Sequence, residues 1–442
     1  MVRSLGGRAV AMVSACLAVC ALVSSCGLDT GASDGSGTSK AGRTALPDGP
    51  SDGASFQPTE ADYAGIRDVL RRRVRAIAAH DEQAFVATVD GHDRSLVTQE
   101  RTLYANLVRL GVRSLSYTAD LRSLFVPAAV GGGDPTLRPE LTENVRVPGV
   151  TTHPVSNPVE ITFVRRSGHW LLGAEKSASG DDSYDAPQER PWFGAPVAVR
   201  RSGPLTVVMD AKAAGRLSSL TSALRADIDH DARLLGVPAE YAVLVDATTN
   251  GASHAISSTA GEDAAAITKG MYYVPHGNVD KTVAAGTVIK VNPETVSSVL
   301  ARPDILRHEL THYLLRQYSG SSPRWLVEGV AAWVQYYPDD FGSLSIPARV
   351  YARIQHADRR LPPEGVFYDD PDVYYFVGQA AVTWLVSHYG PAKLLQLMRA
   401  YRDRYQGVDI DPLTPKVLQE VYGVTPAQVV SGAFGLLSQF QH

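Results

Sequence analysis

The stretch PDILRHELTHYLLRQY, residues 303–318, decides the reading of this chain. It reads as a helix, and within it His308-Glu309-Leu310-Thr311-His312 sets two histidines four positions apart. Residues four apart on a helix share a face one turn from each other, so His308 and His312 can grip one metal ion. Glu309 falls beside them, close enough to polarise a metal-bound water and offset from direct ligation. That is the division of labour a hydrolytic zinc enzyme requires. Three fixed positions in five also recur by chance in unrelated chains, so the pattern needs context.

The context is SPRWLVEGVAAW, residues 322–333, which carries Glu328 in an apolar helical run. Ser322 suits an N-cap and Pro323 the first helical position, which predicts Glu328 in the second turn. Gly329 removes a side chain where two helices must approach closely enough for one metal to bridge them. The competing reading makes Glu328 a solvated surface residue. Trp325, Leu326, Val330 and Trp333 speak against it, because they bury the helix on most sides and a buried carboxylate needs a partner.

HELTH followed by PRWLVEGVAAW resembles the gluzincin metallopeptidases of the peptidase MA-like group, which pair HExxH with a glutamate in a W-L-x-E-G-x-A-x-W helix. Every fixed position of both motifs is present. The resemblance implies His308, His312 and Glu328 as ligands of one zinc ion per chain and Glu309 as general base. It covers the C-terminal half of the chain and implies a zincin-like domain: a small mixed sheet, the HExxH helix and a helical C-terminal part. An edge strand of that sheet, either GMYYV or TVIKV, would lie over the metal and pair with an extended peptide. Such strand addition aligns a backbone without reading most side chains. Tyr375-Phe376-Val377-Gly378 is similar to the Y-x-x-G element that begins a helix near the metal in this group, which implies Tyr375 as an oxyanion donor. Core packing is the alternative, and the adjacent Tyr374 shares the signal. Asp304, one turn before His308, either orients that imidazole from behind or compensates charge at the helix start after Pro303.

The N-terminus carries a separate signal. Arg3 and Arg8 precede an apolar run from Ala9 to Val23, and Val23-Ser24-Ser25-Cys26 ends it with small residues before a cysteine. This reads as a secretory leader, residues 1–25, and is similar to bacterial lipoprotein signals, in which cleavage leaves the cysteine, here Cys26, lipidated. An uncleaved anchor helix is the alternative. Both put the rest of the chain outside the cytoplasm, held at a membrane. All three cysteines, Cys16, Cys20 and Cys26, fall in this region, so a metal site in the mature body must be built from histidine and carboxylate. Losing Arg3 and Arg8 takes the formal charge from −4 to about −6, which speaks against nucleic acid as a partner.

Residues 26–58 are rich in Gly, Ser, Asp, Thr and Pro and read as a disordered tether. The rest exceeds what one core usually spans, predicting two domains. From Thr59, TEADYAGIRDVLRRRVRAIAAHD, EQAFVATV and TQERTLYANLVRLG read as helices. SLSYTADLRSLFV and VEITFVRRSGHWLLGAE then read as strands, the latter folded at a Ser-Gly turn. Helices followed by an antiparallel sheet make an α+β domain over residues 59–176, with a weak resemblance to the nuclear transport factor two-like cone fold. Arg71-Arg72-Arg73 and Arg75 read as a solvated helix face balanced by nearby acids, with contact to anionic headgroups as the alternative. His80, His92, His153 and His169 read as ordinary histidines.

Residues 177–195 are polar and proline-rich and read as a linker. The domain over residues 196–442 opens with strand PLTVVMD, a long helix to Gly236, strand AEYAVLVDA and the strand-like ITKGMYYVP and GTVIKVNPET. It closes with helices punctuated by Gly390, Pro391, Pro412, Gly423 and Pro426. Zinc-dependent hydrolysis of peptide or protein substrates is the function this reading favours. The alternatives are a catalytically silent zinc-binding scaffold and a metal-free binding lipoprotein. A silent scaffold has little reason to keep Glu309, which does not ligate. A metal-free binder would crowd two histidines and a glutamate in an apolar setting.

Overall fold

The computed structural model describes residues 58–125, 134–177, 190–239, 242–250, 265–292, 295–407 and 409–440. The expected leader, Cys26, nearly all of the expected tether and most of the expected linker fall outside that set. The described chain is mixed α and β with two separate sheets, consistent with an α+β class.

Helix α1 (Glu60–Ala79) begins at a reciprocal cap. The Asp62 N–H donates to Thr59 Oγ1 at 3.4 Å, and the Asp62 carboxylate accepts the Thr59 N–H at 2.9 Å. Helix α2 (Glu82–Val86) follows, and Asp93 caps α3 (Arg94–Arg109). Strands β1 (Ser114–Phe125), β2 (Thr136–Arg146), β3 (Val155–Arg166) and β4 (His169–Ser177) then pair antiparallel in chain order. Ser167 and Gly168 join β3 to β4 with φ of 48° and 83°, the left-handed pair that a two-residue hairpin turn requires. Strand β2 escapes the sequence reading because Pro139 interrupts it. The proline sits where the β1–β2 register shifts, a place where a sheet tolerates a missing donor. Ile66, Val69 and Leu70 of α1 pack onto Leu137, Ile161, Phe163 and Trp170 of this sheet.

The second sheet has the order β5-β6-β7-β9-β8. Its members are β5 (Val197–Ser202), β6 (Leu205–Asp210), β7 (Val243–Ala247), β8 (Ala266–Tyr273) and β9 (Val283–Val291). Strands β6, β7 and β9 run parallel, and β5 and β8 lie antiparallel at the two edges. Of the two strands considered for the edge, β8, which holds GMYY, occupies it. Strand β9, which holds TVIKV, lies between β7 and β8.

Successive residues of a strand face opposite sides, and here both sides are buried. Val207, Val245 and Ile289 face a core built with α4 (Leu217–Leu235), α6 (Arg307–Ser319), α7 (Arg324–Tyr336) and α9 (Pro371–Tyr389). Val208, Leu244 and Met271 face the other way, onto Ile77, Phe85, Leu103 and Leu107 of the N-terminal helices. Helices α5 (Val296–Ala301), α8 (Ala348–His356), α10 (Ala392–Arg402), α11 (Thr414–Tyr422) and α12 (Pro426–Leu437) complete the described body.

The N-terminal part holds a buried ionic cluster that the sequence reading did not foresee. Arg73 Nη2 donates to Glu100 Oε2 at 2.8 Å and to Glu175 Oε2 at 3.1 Å. Arg190 makes two 2.9 Å bonds to Glu143 and one of 2.6 Å to Glu175. Arg71 and Arg72 do pair with Asp68 near the surface, but Arg73 is fully buried and corrects the solvated-face reading of the triplet. Helix phase explains the difference: Arg73 lies on the stripe of Ile66, Val69, Leu70 and Ile77. The end of the expected linker is likewise an anchor. Trp192 is buried beside Arg190, and Asn106 Nδ2 donates to the Trp192 and Ala195 carbonyls at 3.0 Å each.

Candidate metal centre

Helix α6 is buried continuously from Arg307 to Leu315, so its polar residues must be matched from neighbouring elements. Arg307 supplies the framework. Its Nη2 donates to Asp231 Oδ1 of α4 at 2.6 Å, and its Nη1 donates to the Tyr337 carbonyl, just past α7, at 2.8 Å. One guanidinium therefore braces three helices at the residue immediately before His308. The sequence reading missed this pair; the acidic run Asp227, Asp229, Asp231 and an arginine next to the motif were its only traces.

Glu328 falls in the second turn of α7, as expected, but the start of that helix differs from the reading. Pro323 is the capping residue, with φ −65° and ψ 147°, and Ser322 makes no cap bond. The Arg324 N–H instead donates to Glu364 Oε2 at 2.8 Å, and Arg324 Nε lies 2.8 Å from Glu364 Oε1. A carboxylate from outside the helix thus does the capping and also favours the positive end of its dipole. The role expected of Gly329 is also corrected. A Cβ there would collide with the Gly378 backbone of α9, and a Cβ at Gly378 would lie 2.7 Å from the Trp325 carbonyl oxygen. The two glycines set a close crossing of α7 on α9, not of α7 on α6.

These elements bring His308, His312 and Glu328 together, each no more than 3 % exposed. Glu328 Oε2 lies 3.2 Å from His308 Nε2 and 3.3 Å from His312 Nε2. The two imidazole rings stand 4.7 Å apart at 72°. One donor atom from each of the three residues falls within 4.8 Å of the others. Although burial opposes the charged form, His312 and His308 hold the Glu328 carboxyl down to about 2. Burial alone would lower the His312 pKa; the Glu328 carboxylate outweighs it and raises it. His312 is nevertheless poorly satisfied, with neither ring nitrogen in an aligned hydrogen bond among the described residues. Two nitrogens and one carboxylate oxygen, converging with an imidazole left over, fit a divalent cation.

Glu309 is buried next to this triad but outside it. Its Oε2 accepts a 2.7 Å hydrogen bond from Thr268 Oγ1, and the same hydroxyl lies 3.1 Å from the Glu309 carbonyl oxygen. Thr268 belongs to the edge strand β8, so one side chain fixes both the base and the strand over the helix. Tyr375 is half-buried near the start of α9, with its ring 6.4 Å from the His308 ring and 5.4 Å from Phe367. Tyr374 also touches Phe367, at 6.0 Å, but lines a separate groove with Arg353 and His356. The side chain of Asp304 lies outside the described residues. His80 caps α1, His92 bonds Asp90 at the surface and His153 stacks on Tyr273. Among the described residues the His308, His312, Glu328 group is the one such cluster of potential ligands. No helix of these residues is long and apolar enough to cross a membrane.

No family model matches this chain, and no curated protein and no solved structure matches it.

Proposed function

We propose that this chain is a zinc metallopeptidase of the gluzincin type, carried outside the cytoplasm by a lipid on Cys26, with a cone-like N-terminal domain and a zincin-like C-terminal one. The observation that carries the reading is the arrangement of four buried polar residues: three converge as ligands, and the fourth, Glu309, is held off by Thr268. His308, His312 and Glu328 would hold the metal, which when bound would supply a Lewis acid and make a water more acidic.

The chain's own residues do the rest. Thr268 orients the Glu309 carboxylate, which takes a proton from the attacking water and returns it to the departing amine. Strand β8, last in the order of the second sheet, is the element that would align an extended peptide backbone and deliver a carbonyl to the site without selecting most side chains. Tyr375 donates a hydrogen bond to the oxyanion that develops on that carbonyl. Arg307, through Asp231 of α4 and the Tyr337 carbonyl at the end of α7, keeps the three helices in register, so that ligands and base do not have to be assembled when the substrate arrives.

Metal analysis of the purified chain, coupled to cleavage of a degenerate peptide library, tests this reading. One zinc per chain with cleavage is expected. Zinc without cleavage would make the protein a silent scaffold, and absence of bound metal would overturn the reading altogether.

A further inference from the structure

A cavity of about 330 Å³ opens at the N-terminal end of α7, and Glu328 forms part of its wall. Whatever enters it sits beside the ligand triad. Three observations fix the chemistry it accepts.

The first is charge. Arg324 and Glu364 both line the cavity, and the guanidinium–carboxylate contact between them neutralises one with the other. The hydroxyl of Tyr368 takes a further hydrogen bond from Arg324 Nη1 at 2.6 Å. Asp409 also lines the cavity and is exposed; among the described residues its Oδ1 accepts only the Asp411 N–H, at 3.1 Å, and no ion pair balances it. With Glu328 committed to the triad, the wall carries one excess negative charge.

The second is an orphaned hydroxyl. Ser322, freed from the capping role by Glu364, is 4 % exposed, lines the cavity, and its Oγ has no hydrogen-bond partner among the described residues. A buried hydroxyl in that state favours an incoming polar group, and the excess negative charge beside it makes a cationic donor the better match. The third is the remaining lining, in which Val327 and Ile410 offer apolar surface and Tyr405 an aromatic one. An apolar stem ending in a group that only donates hydrogen bonds describes lysine and arginine.

We infer that this cavity is a subsite for a basic side chain of the peptide substrate, with Asp409 and the Ser322 hydroxyl receiving its charged end. An acidic side chain meets Asp409 and an arginine already neutralised, and is rejected. The word substrate rests on the peptidase reading; the cavity's preference for a cationic side chain does not.

The test uses the zinc-loaded, detergent-solubilised full chain and peptides that differ at one position among arginine, lysine, norleucine and glutamate. Cleavage should favour arginine and lysine over norleucine by about fivefold or more at one position near the cut bond, the scale of one charge-assisted contact. Asp409→Asn should remove that preference, and Asp409→Lys should turn it toward glutamate. A preference that is the same in the parent and in Asp409→Asn overturns the subsite. Binding of the arginine and norleucine peptides to the Glu309→Gln chain, measured calorimetrically, needs no turnover. Cleavage without a basic preference sinks the subsite and leaves the peptidase reading standing. Asp409-dependent binding of the arginine peptide without any cleavage by the parent chain keeps the cavity's assignment and sinks the peptidase reading. Equal binding of both peptides overturns the subsite whatever is cleaved.

Discussion

Two regions of this molecule bury charged side chains almost completely, and they do it in opposite ways. In the N-terminal part Arg73 and Arg190 face Glu100, Glu143 and Glu175, and nearly every oxygen is met by a guanidinium at 2.6–3.1 Å. Phe85 and Phe193 stack under the two arginines at 4.1 and 4.3 Å. That cluster carries its own cations. Around Glu328 the partners are two imidazoles, and among the described residues no lysine or arginine is paired with the carboxylate. The comparison teaches that burial of charge does not by itself mark a functional site. What distinguishes the second cluster is a donor set that leaves room for a cation from outside.

The largest effect expected from breaking either cluster is on metal content. Glu328→Ala removes the one carboxylate of the triad, and atomic absorption on the purified variant should find no stoichiometric metal, against one per chain for the parent. Metal retained by that variant would mean that the two histidines bind without it.

On the other side, Arg190→Met removes a cation shared by two buried carboxylates. Breaking a buried pair from one side costs about 3–5 kcal/mol, so the thermal midpoint should fall steeply. Below that midpoint metal content should stay at the parent value. A stable Arg190→Met protein would show that the joining segment is not anchored by its arginine.

Next comes Tyr375→Phe, which deletes one hydroxyl and little volume. Loss of a single oxyanion donor costs about 10² to 10³ in turnover, here with metal content and folding unchanged. Parent-like turnover would return Tyr375 to the core.

The smallest effect is a pH dependence that the N-terminal cluster contributes. Burial, and then the charge of Glu175, push the Glu100 carboxyl up to about 7, with Arg73 opposing. A carboxyl raised above its unfolded value binds more protons in the folded state. Its contribution is therefore fully present below the unfolded value and is lost as pH climbs to about 7. Thermal midpoints measured from pH 5 to 8 should fall up to about pH 7 and level off above it, and Glu100→Gln should flatten the fall. An unchanged slope in the variant would assign the dependence to another group.

The two clusters also differ in how far the sequence exposes them. His308, His312, Glu309 and Glu328 sit in two short helical windows, where a spacing of four and a run of tryptophan and leucine carry the geometry directly. Arg73, Glu100, Glu143, Glu175 and Arg190 come from five separate elements, and no local spacing relates them. Arg73 was further hidden inside an arginine triplet, where only the helix phase shows which member turns inward. The same limit applies to the α7 cap: Ser322-Pro323 is a sound local signal, yet Glu364, 40 positions away in the chain, takes the role. The long helices and four of the five strands of the second sheet were legible because apolar periodicity is local; β5, with Arg200 and Arg201 in its second half, was not. Strand β2, interrupted by Pro139, was not, and the edge position of β8 over β9 is a property of sheet order, which no single strand encodes.

The central claim is that Glu309 acts on the reaction without holding the metal, and Glu309→Gln tests it most directly because the amide keeps the shape and removes only the base. Metal content and peptide turnover are to be measured on the same preparation of full chain. One zinc per chain is expected, as in the parent, with turnover reduced by at least about 10². Peptide hydrolysis at the parent rate with zinc in place would contradict the central claim.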